Sequence, residues 1–383
     1  MKKLIYLDNS ATTRLCPEAA EAMTDALSSF ANPSSLHSAG AEAADLLGSS
    51  RRTLLAVSGL PEGFTAVFTG SGSAANNLAL IGAGRSGKHF SSRRIILTDS
   101  EHPSVNNTVA ALEREGFEAV MIPTPGGRLD EKVFSAEIAK GAAAVSLMLV
   151  NNETGAYYGV EEAFAEARRV CPGALMHCDA VQGFMRVPLP GNADMITVSA
   201  HKIHGPKGVG ALFLSRDVIK KKSLSPLIYG GGQESGLVSG TENTPGIAGF
   251  SAAAAAAASR RAADSGKLAL LRRMTVDAVE KAGARVNIPY RRVDHIVSVT
   301  LPGIKSQTML NYLSAGGICV SSGSACSSHD RRISRSLKAF GLSDADADCT
   351  VRVSLSAENT PEEIEAFGER LAEGISRLVR AKR

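Results

Sequence analysis

Short apolar runs alternate with longer stretches of helical character through the middle of the chain, between residues 64 and 214. The runs with the length of buried strands are 66–68, 94–98, 119–122, 144–149, 175–178, 195–198 and 210–214. Strands that alternate with helices form sheets covered by helices on both faces, so the pattern predicts an α/β fold with a mostly parallel seven-stranded sheet. Ligands of such sheets bind beyond the carboxyl ends of the strands, and we expect the functional residues there.

The last third of the chain is organised differently. The alanine-rich run 252–258 has high helix propensity and predicts the start of a long helix that leaves the sheet region. After it, strand-like segments such as 296–301 alternate with helical ones such as 361–379. A chain of 383 residues is too long for one ordinary core, so we expect two domains. Their predicted bounds are 14–255 for the large domain, and 1–13 with 256–383 for the smaller α/β domain.

Two of the strand-like runs are followed by ionisable residues. Asp179 comes directly after the run 175–178, and Lys202 comes shortly after the run 195–198. A single lysine in such a place is usually a solvated surface charge. Two neighbouring strand ends, however, would bring an amine and a carboxylate together. Pyridoxal phosphate (PLP) requires that pair, because a lysine forms its Schiff base and an acid keeps its pyridinium nitrogen protonated.

A glycine-rich turn follows the first strand-like run. Residues 70–73 are Gly-Ser-Gly-Ser, and the Ala/Leu-rich stretch 74–81 behind them predicts a helix. The backbone amides and the dipole at such a helix N-terminus favour an anion, so Gly72 and Ser73 are candidate phosphate ligands. A plain strand-to-helix turn explains the same residues equally well.

The same turn also fits a dinucleotide-binding fingerprint. Gly70, Gly72 and Ala75 have the required spacing, and Asp99 ends the next strand-like run at a distance suited to a ribose contact. The turn alone therefore leaves a nucleotide and PLP both open. The pair of ionisable strand ends favours PLP, because a hydride-transferring dehydrogenase has no use for a Schiff-base lysine.

The cysteines indicate a reducing compartment. The six of them are Cys16, Cys171, Cys178, Cys319, Cys326 and Cys349. They form no CxxC pair and no Cys/His cluster with zinc spacing, so we expect neither a metal site nor structural disulfides. Cys178 and Cys319 lie in apolar runs and are expected in the core. Cys326 differs, because the small polar residues of 321–330 around it predict a mobile, exposed loop in which a thiol can react.

Blocks spread over nearly the whole chain resemble one family. They are 6–13, 32–37, 101–104, 150–155, 177–182, 199–202, 239–243 and 321–326. In this order they resemble the PLP-dependent cysteine desulfurases of the class V aminotransferase group. The resemblance implies a fold type I PLP-dependent transferase, with a large sheet domain and a smaller α/β domain.

The resemblance also assigns roles to individual residues. It implies that Lys202 holds the cofactor, that Asp179 contacts the ring nitrogen and Gln182 the phenolic oxygen, and that His102 stacks on the ring. A flat imidazole at His102 suits that stacking and can carry protons near neutral pH. The implied phosphate ligands are Gly72, Ser73, Ser199 and His201, with Thr241 from the partner subunit. A histidine at the end of an element is usually a hydrogen-bonded structural residue, but His201, directly before Lys202, is better explained as an anion contact.

Asn152 and Arg352 are implied to take the substrate carboxylate, and Asn152 to contact the cofactor as well. The chemistry of arginine supports this independently, because its planar guanidinium forms a bidentate pair that a lysine cannot copy. From the sequence alone, Arg352 is more simply an outward-facing charge on a half-buried strand.

The implied reaction converts L-cysteine to L-alanine. Lys202 would remove the α-proton, and Cys326 would take the sulfur as a persulfide and pass it to a protein thiol. The implied acceptor is an iron–sulfur scaffold or a tRNA-thiolation carrier. A selenocysteine lyase, another class V aminotransferase and a sulfur-carrier scaffold without turnover remain alternatives.

Charge and hydropathy narrow the partners further. The formal net charge of +4 comes without a basic tract or interleaved aromatics, so we expect no direct nucleic-acid partner. The first apolar segment is too short for a signal peptide and no stretch could span a bilayer, so we expect a cytoplasmic protein without membrane contact. The family implies a homodimer. The basic residues that could steer an acidic protein acceptor are Arg331, Arg332, Arg335 and Lys338.

The chain departs from its family at two positions. Ser235 and Val238 stand where relatives usually carry arginine, in the glycine-rich segment that leads to Thr241. This affects the local salt bridges and the substrate or dimer contacts of that segment. The cofactor residues are unaffected.

Overall fold

The computed structural model describes residues 4–86, 92–323 and 333–378. Its strands are β1 Ile5–Tyr6, β2 Thr65–Thr69, β3 Arg94–Thr98, β4 Glu118–Ile122, β5 Ala144–Met148, β6 Leu175–Asp179, β7 Met195–Ser199, β8 Gly210–Leu214, β9 Arg285–Asn287, β10 Ile296–Thr300, β11 Ile318–Cys319 and β12 Thr350–Ser354. Its α-helices are α1 Pro17–Ala26, α2 Ser38–Ser58, α3 Gly72–Ser86, α4 Pro103–Glu113, α5 Glu131–Ile138, α6 Val160–Val170, α7 Arg216–Lys220, α8 Thr244–Lys281, α9 Ser306–Ala315, α10 Arg335–Ala339, α11 Asp344–Asp348 and α12 Pro361–Arg377. Short 3₁₀ helices lie at Pro125–Gly127, Ala200–Lys202 and Glu234–Gly236.

The central sheet has seven strands in the order β2-β8-β7-β6-β5-β3-β4. The strands from β7 to β4 pair in parallel, whereas β8 is antiparallel to both of its neighbours. The prediction of a mostly parallel α/β sheet is therefore confirmed. Each predicted strand agrees with an observed one to within a residue at either end.

Helices cover both faces of this sheet. Successive strand residues point to opposite sides, so Ala66 and Phe68 join one hydrophobic cluster and Val67 joins another. The first cluster includes Phe164 of α6, and the second includes Leu78 of α3. Because apolar side chains are buried on both sides, these strands are continuous apolar runs in the sequence.

A second, smaller set of strands packs around its own hydrophobic cluster. Strands β9, β10 and β12 form an antiparallel sheet in the order β12-β10-β9, and β1 pairs in parallel with β11. Leu7, Val299 and Phe367 belong to its cluster. The N-terminal segment thus packs with the C-terminal part of the chain, although the exact domain bounds stay a prediction.

Helix α8 corrects one prediction. It begins at Thr244, eight residues before the alanine run that was expected to start it. The side chain of Asn243 accepts a hydrogen bond from the amide of Gly246 (3.1 Å), and Pro245 occupies the first turn. This Asn-Thr-Pro start signal, rather than the alanines, fixes the N-terminus.

Within the described ranges, no helix is both long enough and apolar enough to cross a membrane.

Candidate active site

A cavity of about 180 Å³ lies beyond the carboxyl ends of the parallel strands. We call it the strand-end cavity. It is lined by ten of the twelve residues assigned from the sequence: Gly72, Ser73, His102, Asn152, Asp179, Gln182, Ser199, His201, Lys202 and Arg352. The sheet brings them together because β6 and β7 run in parallel and end at the same edge, with Asp179 opposite Thr197.

Lys202 closes the short 3₁₀ helix that follows β7. Its Nζ donates to the backbone carbonyls of Ser10 (2.6 Å) and Ala11 (2.8 Å), so the amine is held against the segment after β1. The side chain of Gln182 donates to the same Ser10 carbonyl at 2.9 Å. These contacts hold an amine at the wall of the cavity, where it can reach a bound molecule.

Asp179 is the last residue of β6 and is 5% exposed. One carboxylate oxygen accepts from the amide of Val181 (3.1 Å), and the other accepts from Asn76 (2.8 Å). The Asn76 side chain also donates to Ser104 at 2.9 Å. The carboxylate is thereby fixed in orientation by its own loop and by Asn76 of α3, which in turn contacts Ser104 of α4. A fixed orientation suits a group that contacts a ring nitrogen.

His102 is the N-cap of α4, where its Nδ1 accepts from the amide of Ser104 (3.1 Å). Since Nδ1 is an acceptor, the proton of the neutral ring resides on Nε2. Burial lowers the pKa of His102; Asp179 opposes this shift and Lys202 adds to it. The cap therefore presents a flat, neutral imidazole in the wall of the cavity.

The phosphate end of the predicted site is built on close backbone packing. A Cβ added at Gly72, the first residue of α3, would lie 2.9 Å from Val181 Cγ2 and 3.3 Å from Ser199 Cβ. Only glycine allows the helix N-terminus to approach the end of β7 this closely. Gly72 and Ser73 of that terminus then line the cavity together with Ser199, where a helix N-terminus favours an anion.

His201 is neutral at pH 7. Burial, with Lys202 and Lys207 nearby, lowers its pKa to about 4. Its Nδ1 lies 3.2 Å from the hydroxyl of Thr12. The residue can contribute a hydrogen bond to an anion in this cavity, but not a charge.

Arg352 of β12 is almost completely buried, with 2% of its side chain exposed. It donates to Asp8 Oδ1 (2.7 Å) and to the Asn152 carbonyl (2.9 Å). The interpretation of this residue as an outward-facing surface charge is therefore wrong. A buried guanidinium that opens into a cavity suits a carboxylate ligand.

Several buried polar atoms around the cavity have no hydrogen-bond partner among the described residues. They are Ser10 Oγ, Asn76 Oδ1, Gln182 Oε1, Ser199 Oγ and Arg352 Nε. Burying such groups unpaired costs about 1–3 kcal/mol each, so their concentration in one place points to a polar ligand. Donors and acceptors of this kind fit a phosphorylated pyridine such as PLP together with a carboxylate-bearing substrate.

Of the other two assigned residues, only Thr241 belongs to the described part of the chain, and it does not line the cavity. Thr241 is exposed and lies with Val238 and Gly70 around a separate depression. Ser235 lies in the 3₁₀ helix Glu234–Gly236, which precedes Thr241 in the chain, and has a positive φ of 61°. Cys326 lies outside the residues that the structure describes.

The sequence analysis missed two contributors to the site. Asn76 lies one helical turn after Gly72, so it faces the same strand ends, and this spacing was an available signal. Asp8 belongs to the first family block, but the pairing of its carboxylate with Arg352 depends on the contact between β1 and β12, which no local pattern reveals.

Comparison with known proteins agrees with this geometry. The family model for aminotransferase class-V matches residues 5–367. A cysteine desulfurase of Cereibacter sphaeroides is 38% identical, over 98% of this chain and 96% of the relative. A solved NifS-like protein superimposes with a TM-score of 0.90 at 31% identity, covering 98% of this chain and all of that one. The structure of SspA in complex with cysteine has a TM-score of 0.78 at 29% identity, covering 93% of this chain and 99% of that one. The chain therefore belongs to the aminotransferase class-V family, in which it groups with the cysteine desulfurases.

Proposed function

We propose that this protein is a PLP-dependent cysteine desulfurase that leaves its sulfur as a persulfide on Cys326. The observation that carries the proposal is the cluster of buried polar atoms around Lys202 and Asp179 that have no partner among the described residues. Relatives at 33–38% identity over nearly the whole chain are named cysteine desulfurases, which supports the same activity.

The residues of the strand-end cavity divide into a ring end and a phosphate end for PLP. Lys202 would bind the cofactor covalently, Asp179 and Gln182 would contact ring substituents, and His102 would lie on the ring face. The phosphate would take Ser73, Ser199, His201 and the amide of Gly72, with Thr241 from the partner subunit. When bound, PLP withdraws electrons from the α-carbon of an amino acid.

The substrate carboxylate would bind at Arg352, whose Nε has no partner in the described chain. The side chain of Asn152, whose backbone carbonyl already holds this guanidinium, would add a second contact. With the carboxylate fixed there, the Lys202 amine is the base that this chain offers for the α-proton, because its Nζ lies in the wall of the same cavity.

Sulfur transfer is assigned to Cys326. Ser321 exchanges two backbone hydrogen bonds with Arg352 (2.7 and 3.1 Å), so the chain leading to the thiol departs from the cavity wall. Five residues span at most about 18 Å, which keeps the thiol within reach of the site. Overall, L-cysteine and the Cys326 thiol give L-alanine and a Cys326 persulfide, and no other reactant is needed.

We further propose that the persulfide passes to a protein thiol, in iron–sulfur cluster assembly or tRNA thiolation, and that the enzyme is a cytoplasmic homodimer. The five cysteines that the structure describes are free thiols, as a reducing compartment would keep them. Of the basic residues expected to steer an acceptor, Lys338 pairs with Asp344 (3.0 Å) and Arg335 contacts Met121. Arg331 and Arg332 lie outside the described residues.

The decisive experiment measures alanine release from L-cysteine, with a reducing thiol present, for wild type and for Cys326→Ser. We expect the variant to lose at least about 100-fold in turnover, because a hydroxyl cannot accept sulfur. Cys171→Ser is the matched control and should retain wild-type turnover. Equal rates for wild type and Cys326→Ser would exclude the persulfide route. Release of selenium from selenocysteine by that variant would favour a lyase, and glutamate formation from 2-oxoglutarate would favour an aminotransferase.

A further inference from the structure

A second cavity of about 220 Å³ lies behind the segment that carries Lys202. Its walls come from the connection between β6 and β7, the middle of α8, and the residues that flank β10 and β12. Ile203 and His204, which directly follow Lys202, line it. No residue of the proposed PLP site lines this second cavity.

Among the charged residues that line the second cavity, cations outnumber anions. Arg186, Arg261 and Arg292 contribute three guanidinium groups, against the two carboxylates of Asp264 and Asp294. None of the three arginines has an ion-pair partner anywhere in the described ranges. Asp294 lies 4.0 Å from Arg272, a fourth guanidinium behind the wall, which further reduces the negative charge available to the lining.

Arg186 is the deepest of these cations. It donates to the backbone carbonyls of Lys202 (2.7 Å) and Gln182 (3.4 Å), so its contacts are neutral acceptors rather than a carboxylate. Burial lowers the pKa of Arg186 to about 10, which still leaves the group charged at neutral pH. A partly buried cation that has no counter-ion among the described residues is stabilised by an anion.

His295 provides an independent indication that the second cavity holds a ligand. Its ring lines the cavity, the residue is 2% exposed, and its Nε2 has no hydrogen-bond partner within the described chain. Ser356 also lines the cavity, and its hydroxyl lies 3.2 Å from the ring of His204. Cationic residues and the His295 Nε2, which lacks a partner among the described residues, therefore lie around the same cavity.

We propose that the second cavity is a binding site for a small oxyanion, such as phosphate or a short carboxylate. Arg186 binds the anion from within, where His295 Nε2 can accept a hydrogen bond from a protonated oxygen such as that of hydrogen phosphate, and the exposed Arg261 and Arg292 complete the site at its rim. The proposal is separate from the desulfurase activity. Arg186 also donates to the Lys202 carbonyl, so the second cavity borders the segment that carries Lys202.

The test is calorimetric titration of the enzyme as purified with its cofactor, using inorganic phosphate and then succinate in a constant sodium chloride background. The rim variant is Arg261→Gln combined with Arg292→Gln, which removes the two guanidinium groups at the rim of the second cavity and leaves Arg186 in place. Its matched control is Arg260→Gln combined with Arg291→Gln, since these neighbouring arginines pair with Glu18 and Glu162.

We expect at least one of the two anions to bind wild type and the control alike, and to bind the rim variant about tenfold more weakly, as for the loss of charged hydrogen bonds. Cysteine turnover without added anion should be the same in all three proteins. Binding of neither anion to wild type, or equal affinity for wild type and the rim variant, would overturn the proposal. Neither result depends on whether the protein is a desulfurase.

Discussion

At the scale of single residues, Arg352 connects the fold to the proposed chemistry. Its guanidinium is held by Asp8 and by the Asn152 carbonyl, while its Nε is left for a ligand. We predict that Arg352→Lys raises KM for L-cysteine about 10- to 100-fold and changes kcat less, because an ammonium cannot keep Asp8 and bind a carboxylate bidentately.

Steady-state alanine release at several cysteine concentrations measures this effect. Arg370→Lys is the control, since Arg370 pairs with Glu373 on α12 and stacks on Tyr312. It should leave KM unchanged. An unchanged KM in Arg352→Lys would remove this residue from the substrate site.

Glu101 shows a different consequence of burial. Its carboxyl accepts from Thr98 and from the amide of Met148, but no cation lies beside it in the described chain. Burial, with a smaller contribution from Asp179, raises the pKa of Glu101 from 4.5 to about 8. The folded protein therefore holds a proton here that the unfolded chain releases, and stability falls as the pH rises through this window.

We predict that Glu101→Gln removes that loss of stability. The free energy of unfolding of the variant, relative to wild type, should increase by a few kcal/mol between pH 5 and pH 8, since one pKa unit corresponds to about 1.4 kcal/mol. Urea unfolding at both pH values measures it. Glu115→Gln, at an exposed site where Arg85 lowers the pKa of the carboxyl, should show no such gain. A stability difference between variant and wild type that is the same at pH 5 and at pH 8 would contradict a protonated Glu101.

At the scale of elements, the start of α3 shapes the proposed phosphate end of the site. We predict that Gly72→Ala weakens PLP binding about tenfold or more, because its new Cβ would meet Val181 at 2.9 Å and push the helix N-terminus away from β7. Fluorescence titration of the cofactor-free protein with PLP measures this affinity.

The chain offers a control two residues earlier. A Cβ at Gly70 would meet nothing within 4 Å, and no positive φ constrains that position. Gly70→Ala should bind PLP as wild type does. Equal affinities for the two variants would show that close packing at Gly72 does not shape the phosphate site.

Strands were more predictable than their directions. The buried strands of the central sheet are continuous apolar runs with clear ends, so their bounds and the placing of Asp179 and Lys202 at one edge followed from sequence. The antiparallel direction of β8 is not visible in its residues. It follows from the ten-residue connection after β7, which contains only a short 3₁₀ helix and is too short for a parallel crossover.

The burial of Arg352, like the direction of β8, could not be predicted from the local residues of its strand. The alternating residues of β12 are typical of a strand with one solvated face. In the folded chain that face is covered by Asp8 and the wall of the strand-end cavity, which come from distant parts of the sequence. Local alternation reports that two faces differ, but not what covers each of them.

At the scale of the whole molecule, the exposed position of Thr241 and the exposed side chains of Ile228 and Tyr229 near it suit a surface that a second subunit covers. If Thr241 reaches the phosphate of the neighbouring subunit, each site combines residues of two chains. Mixing two defective subunits then tests the arrangement directly.

We predict that Thr241→Ala alone sediments as a dimer and binds PLP about tenfold more weakly, for the loss of one hydrogen bond to a charged group. Lys202→Ala alone should bind no PLP covalently.

In a heterodimer of one Lys202→Ala and one Thr241→Ala subunit, one site carries both changes and the other carries neither. Half of the sites should therefore form the Schiff base with wild-type affinity, as measured by visible absorption. If half of the sites form the Schiff base but with the affinity of the Thr241→Ala variant, this threonine belongs to the site of its own subunit. An active monomer in sedimentation would exclude the proposed dimer.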